Sequence, residues 1–213
     1  MIGHAGFGTP AWALQKTSSK EREMRRVVAA EYVTVDGVMQ DPGGVGEIEE
    51  GGWSNAFFND ELAKHQSDQL FASDALLLGR VTYEGFAAAW PSMEETEGEF
   101  AVRMNALPKF VASRHLAEPL EWNARLLEGD VVEAVRKLKQ EPGQDILIYG
   151  SGELLSTLMP QNLIDEYQLM IFPVALGSGK SLFRDGNEKV SLKLAGAEMT
   201  STGVAVLTYE SAR

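Results

Sequence analysis

Ser73-Asp74-Ala75-Leu76-Leu77-Leu78-Gly79-Arg80-Val81-Thr82-Tyr83-Glu84 is the stretch on which the rest of the chain turns. Four apolar residues in a row, 75–78, mark a strand buried on both faces. Gly79-Arg80 follows at once. Thr82 then offers a cap for a short helix from Tyr83 to about Trp90, which Pro91 stops. A buried strand running straight into a helix is the repeating unit of a parallel α/β sheet.

The same unit recurs on both sides. Upstream, residues 25–35 are rich in β-branched side chains and end at the turn signal Asp36-Gly37. After a glycine-rich loop (41–52), Ser54 or Asn55 caps a predicted helix running to about Ser73. The pair Phe57-Phe58 is expected in the core. Downstream, the pattern predicts a helix over 96–106, strands over 109–113 and 124–127, and a helix capped by Asp130 and running to Gln140. A strand over 145–149 feeds a helix from Gly152 to about Leu158, and a long strand covers 164–174. Residues 190–198 and 203–211 alternate as a terminal antiparallel pair. The expected fold class is therefore α/β, a mostly parallel central sheet with flanking helices and an antiparallel C-terminal hairpin. One domain spans 24–213, and 1–23 reads as an N-terminal extension with little regular structure.

Composition narrows the chemistry. The chain has 213 residues, no cysteine and a net charge of −12. Thiolate metal centres, thiol nucleophiles and disulfides are excluded. An acidic chain without a clustered basic face predicts no nucleic-acid partner. No stretch approaches the ~20 apolar residues of a membrane span, so no membrane partner is expected. A cysteine-free chain suits a reducing, cytoplasmic setting. His4, His65 and His115 have no ligand spacing, and no metal is expected; His65 reads as a surface helix residue.

Three turns compete for a ligand. Gly150-Ser151-Gly152-Glu153-Leu154-Leu155 joins a strand to a helix, but Leu155 stands where a dinucleotide fingerprint has its third glycine. A ligand-free turn accounts for it too. Gly177-Ser178-Gly179-Lys180-Ser181 resembles the end of a P-loop, yet Val174 replaces the leading glycine and Asp185-Gly186-Asn187 interrupts any following helix. Gly79-Arg80 and Ser113-Arg114-His115 each end a strand in a cationic turn. Turns 79–82, 113–115 and 150–153 all follow parallel-type strands, and α/β sheets bind ligands beyond the carboxyl ends of their strands. Their coincidence suggests a dinucleotide lying across one sheet edge.

These stretches, together with Thr34-Val35-Asp36-Gly37-Val38, Pro108-Lys109-Phe110-Val111-Ala112-Ser113 and Ile164-Asp165-Glu166…Pro173-Val174-Ala175-Leu176, occur in an order that resembles the dihydrofolate reductase-like family. The resemblance is to the reductase domain of the bifunctional riboflavin-biosynthesis deaminase-reductase and its stand-alone relatives, over about 25–211. It implies NADPH as cofactor and a small heteroaromatic or pyrimidine-like substrate, for example 5-amino-6-(5-phosphoribosylamino)uracil or a related compound. By that similarity Gly79, Arg80, Thr82 and Tyr83 approach the phosphates, and Ser113 and Arg114 hold the 2′-phosphate. Gly150, Ser151, Gly152, Glu153 and Leu154 wrap the pyrophosphate. Ala30, Asp36, Gly37 and Val38 border the nicotinamide. The resemblance also implies a homodimer, and Leu169-Met170-Ile171-Phe172 is the strand proposed to join it.

Two departures qualify the substrate. The riboflavin reductases carry Glu-Gly-Gly where this chain has Tyr149-Gly150-Ser151, and no deaminase half is present. Tyr149 and Trp53 are candidate substrate contacts; a core role accounts for Trp53 as well. Asp60 and Glu61 are the candidates for proton delivery, with water as the alternative. Asp165-Glu166 reads as edge charges. A nucleotide-binding or regulatory module that keeps the cofactor pocket without turnover is the second reading.

Overall fold

The computed structural model describes residues 24–184 and 188–212; residues 1–23, with His4, residues 185–187 and residue 213 lie outside the described residues. Strand β1 (Val27–Thr34) is followed by a single 3-10 turn at Asn55–Phe57 and by helix α1 (Asp60–Ala72). Then come β2 (Ser73–Gly79), α2 (Arg80–Ala89), α3 (Glu94–Glu97), α4 (Glu99–Ala106), β3 (Lys109–Ala112) and β4 (Ala124–Leu126). The chain continues through α5 (Val131–Gln140), β5 (Asp145–Tyr149), α6 (Gly152–Leu158), β6 (Glu166–Phe172), β7 (Leu192–Met199) and β8 (Ala205–Ser211).

The strands form one sheet in the order β4-β3-β2-β5-β1-β6-β8-β7. The first six run parallel, β8 pairs antiparallel with β6, and β7 pairs antiparallel with β8, the terminal antiparallel pair that the pattern predicts. Helices cover both faces. Val27, Ala29, Ile146, Ile148 and Leu77 pack with Val135, Leu138, Leu154 and Leu158 on the α5–α6 side. Val28, Ala30, Leu76, Leu78 and Leu147 pack with Leu62, Leu70, Tyr83 and Met104 on the α1–α2–α4 side. Adjacent residues of β2 thus serve opposite layers, which is why 76–78 has no polar member. Leu77 is fully buried. Its truncation to Ala should cost about 2–5 kcal/mol.

Some boundaries differ from the expected ones, for local reasons. Neither Ser54 nor Asn55 starts α1; Asn59 caps it, accepting the Leu62 N–H at 3.0 Å. Phe58 is half-exposed instead of buried. The expected 96–106 helix is broken at Gly98, whose φ is +56°. Helix α2 begins at Arg80 with Gly79 as its cap, so Thr82 is released for another partner. His65 is half-buried against Gln69, at 2.8 Å, and desolvation lowers its pKa. Strand β6 lies between β1 and β8, so Leu169–Phe172 offers no free edge to a second subunit.

Candidate functional site

The parallel strands place the ends of β1, β2, β3, β5 and β6 along one edge of the sheet. Consecutive strands depart to opposite sides of β1, which creates a switch point at its carboxyl end. Gly150 and Ser151 follow β5 with φ of +57° and +67°, a left-handed pair that turns the chain sharply into α6. The Ser151 hydroxyl accepts the Gly79 N–H at 2.8 Å and lies 3.0 Å from Thr82 Oγ1. The two glycine turns are therefore stitched into one unit. A methyl group at Gly79 would approach Ser151 Cβ to 3.3 Å.

Gly152 is crowded from the other side. A Cβ there would meet Arg184 Nη2 at 2.9 Å and Met39 Sδ at 3.0 Å. Arg184 is ion-paired with Glu153 and bonded through Nε to the Ser181 carbonyl. The pairing holds the Glu153 carboxyl below its usual range. The loop after β6 thereby brings a guanidinium to the mouth of the glycine turn. This arginine escaped the sequence reading because it is 31 residues from Glu153, with no motif to link them.

Under the turn lies Glu31, only 1 % exposed. Its carboxyl accepts the Gly150 N–H, its Oε1 has no partner, and burial pushes its pKa well up. An acid in phase with the core residues Val27, Ala29 and Val33 breaches the strand pattern, and that breach is its signal in the sequence. On the opposite face, the Tyr149 and Tyr32 hydroxyls are buried and unpartnered. Burial raises both pKa values.

The other candidates fall into three groups. Ala30 and Val38 are buried, and Gly37 has φ of +87°, bordering the carboxyl end of β1. Asp36 is a latch: its carboxylate accepts the Leu176 and Gly177 N–H groups at 3.0 and 2.7 Å and the Thr34 hydroxyl. The Thr34 bond, then the Gly177 bond, hold its pKa down. The P-loop-like run 177–181 is thus a strap, with Met39 bonded to the Lys180 carbonyl. Trp53 is 8 % exposed, donates its indole N–H to the Gln40 carbonyl, and meets Phe172 edge-on at 5.3 Å.

Among the polar candidates, Arg80 lies along α2 against Glu84 at 2.7 Å, and Arg114 is exposed. Ser113 caps its own loop by accepting the His115 and Leu116 N–H groups. The Tyr83 hydroxyl donates to the Glu121 carbonyl at 3.2 Å, and the Leu154 side chain is core, so these two offer little beyond backbone to a ligand. Asp60 and Glu61 are both exposed in the first turn of α1. Glu61 is engaged by the Ser201 N–H and hydroxyl, which hold its carboxyl below the usual range. Asp165 and Glu166 lie at the far end of the sheet, bonded to Lys139 and Arg26.

This geometry can be set beside known proteins. The family profile of the RibD C-terminal domain matches residues 25–206. The chain belongs to the RibD C-terminal domain family. Two Bacillus subtilis (strain 168) proteins are similar to it in sequence. YyaP is 32 % identical over 189 residues, covering 88 % of this chain and 95 % of YyaP. YwjB is 28 % identical over 181 residues, covering 84 % and 95 %. Solved RibD-like structures share the fold. A Shewanella sp. PV-4 protein assigned to riboflavin biosynthesis superposes with a TM-score of 0.69 at 22 % identity, over 88 % of this chain and 99 % of that one. The Thermotoga maritima diaminohydroxyphosphoribosylaminopyrimidine deaminase/5-amino-6-(5-phosphoribosylamino)uracil reductase gives 0.61 at 15 % identity, over 89 % of this chain and 57 % of that longer protein. Membership of the RibD C-terminal domain family supports an oxidoreductase. Among the described residues no helix is long and apolar enough to cross a membrane.

Proposed function

We propose that the protein is an NADPH-dependent reductase of a small heteroaromatic or pyrimidine-like molecule. The observation that carries this is the stitched pair of glycine turns at the switch point, with Arg184 drawn across it. Backbone N–H groups at the start of α2 and the crowded Gly152 turn suit a pyrophosphate that needs close backbone approach. Arg80, Arg114 and Arg184 supply guanidinium forks for phosphate oxygens. Glu84 and Glu153 hold two of these arginines until an anion competes for them.

When bound, a reduced nicotinamide supplies two electrons and one hydrogen to an acceptor carbon. The chain's own part is to orient the two reactants. Glu31 and Ser151 fix the turn beneath them, and Asp36 ties the β1 loop to the strap after β6. The proton that completes the reduction comes from water, or from Asp60 or Glu61. Ser113 and Arg114 then favour the 2′-phosphate of NADPH over NADH.

Calorimetric titration of both cofactors tests the reading. NADPH should bind roughly tenfold or more tightly than NADH, the value of one charge-assisted contact. Arg114→Ala should erase that preference. Equal affinities would overturn the 2′-phosphate assignment. Tight NADPH binding without oxidation over a panel of pyrimidine and pteridine acceptors would instead support a binding module.

A further inference from the structure

Among the described residues six buried side-chain polar atoms lack a partner, and three of them (Glu31 Oε1, Tyr32 Oη and Tyr149 Oη) lie together where β1 and β5 end. Tyr149 pairs in register with Ala30, so Tyr32 stands two residues further along the same face. Glu31 projects to the other face, under Gly150. Tyr32 and Tyr149 are therefore neighbouring hydroxyls on the α1–α2 side. Neither meets an acceptor or donor of the protein.

We propose that the Tyr32 and Tyr149 hydroxyls form the recognition edge for the acceptor substrate, a flat uncharged ring bearing a carbonyl or an imine. The proposal rests on the reductase reading, since it names the substrate class of that site. A buried hydroxyl without a partner is costly, and the folded protein bears that cost twice at one spot. A ligand with a lone pair at that spot restores both bonds. A site of this kind discriminates strongly against analogues that lack the polar group. Both phenols stay neutral, because burial disfavours their charged forms. A pair of neutral hydroxyls cannot compensate a desolvated charge, so the ring edge that meets them is uncharged. The surrounding rings set its shape. Phe172 lies 4.7 Å from Tyr32 with Trp53 and Phe57 against it, and Phe86 lies 6.5 Å from Tyr149. Such walls accept a planar ring by stacking or edge contact. During reduction the same hydroxyls face the oxygen or nitrogen that gains electron density, which is where fixed donors help most.

The test uses the full chain with two flat probes of equal size, quinazolin-4-one and naphthalene, titrated by calorimetry with and without saturating NADP+. Wild type should bind quinazolin-4-one at least tenfold more tightly. Tyr149→Phe and Tyr32→Phe should each lose most of that ratio while keeping naphthalene affinity and NADPH affinity. Both variants should melt at or above the wild-type temperature, because each discards an unpartnered hydroxyl. A ratio unchanged in both variants, a wild type that binds neither probe, or a fall of several degrees in Tm would overturn the proposal. If these results come with intact NADPH binding, the reductase reading stands and only the recognition edge fails. If wild type does not bind NADPH at all, the reading beneath fails and takes the proposal with it.

Discussion

The two edges of the sheet use similar residues to opposite ends. At the amino end of the strands, buried charges meet opposite charges. Arg25 pairs with Asp74, Arg26 spans Asp145 and Glu166, and Lys139 holds Asp165, which also accepts the Val27 N–H. Two polar exceptions lie there among the described residues: Gln69, whose free Oε1 is beside a cavity of about 160 Å³ lined by His65, Gln168 and Arg26, and Arg103, whose Nε is unpartnered although its Nη2 donates to the Ser73 carbonyl. At the carboxyl end, Glu31 is buried with one backbone donor, two tyrosine hydroxyls are left over, and the chain takes left-handed turns. One edge is settled by pairs within the protein. The other holds groups that a ligand can complete. The two arrangements are separated by the length of a strand.

Substitutions at the two edges should separate in the same way. The largest effect is expected for Gly152→Val, which should abolish NADPH binding by filling the place where the backbone must be approached. The contact it creates is with the end of Arg184 and with Met39, which can move, so circular dichroism should stay native. Retained NADPH affinity would make the turn purely structural. At the other edge, Arg26→Met removes the cation that Asp145 and Glu166 share. Stability should fall by about 2–3 kcal/mol, less than for a fully buried pair because Arg26 is about a third exposed. Its cofactor affinity should match wild type. An equal loss of both would erase the contrast between the edges.

Smaller effects sharpen it. Glu31 keeps its proton in the folded state at pH values where the unfolded chain has already lost it. Its contribution is therefore favourable at low pH and declines as pH rises above the ordinary glutamate value of 4.5 toward its raised one. The slope is about 1.4 kcal/mol per pH unit in that window. Denaturant titrations from pH 4 to 8 should show this decline in wild type and not in Glu31→Gln, where the amide oxygen still accepts the Gly150 N–H. Identical profiles would mean that Glu31 ionises normally. Arg184→Ala should weaken NADPH binding about tenfold, the value of one charge-assisted phosphate contact, and should flatten its salt dependence. An unchanged affinity would show that Arg184 serves only to neutralise Glu153.

Much of this is legible in the sequence. The run 75–78 required a two-sided layer, Asp130 required α5 to start where it does, and the terminal alternation required an antiparallel pair. These are local facts: side-chain period, a cap, a turn. The three strand-end turns are legible as a set, because each is written in contiguous residues. The start of α1 was misplaced because Ser54 and Asn59 are equally good caps by type, and only packing of Leu62 and Leu70 chooses between them.

What tertiary structure alone decided are the relations between distant segments. Ser151 bonds Gly79 across 72 residues, Asp36 latches Gly177 across 141, and Glu153 meets Arg184 across 31. Insertion of β5 between β2 and β1 sets Tyr149 beside Tyr32 and leaves both hydroxyls unpartnered. Periodicity states which face a residue takes. It does not state which strand lies beside it, since strand order is chosen by the burial of the whole apolar surface rather than by any one segment. The amino-acid sequence therefore determined the layers and the turns of this protein, and the assembled sheet determined which polar atoms were left for a ligand.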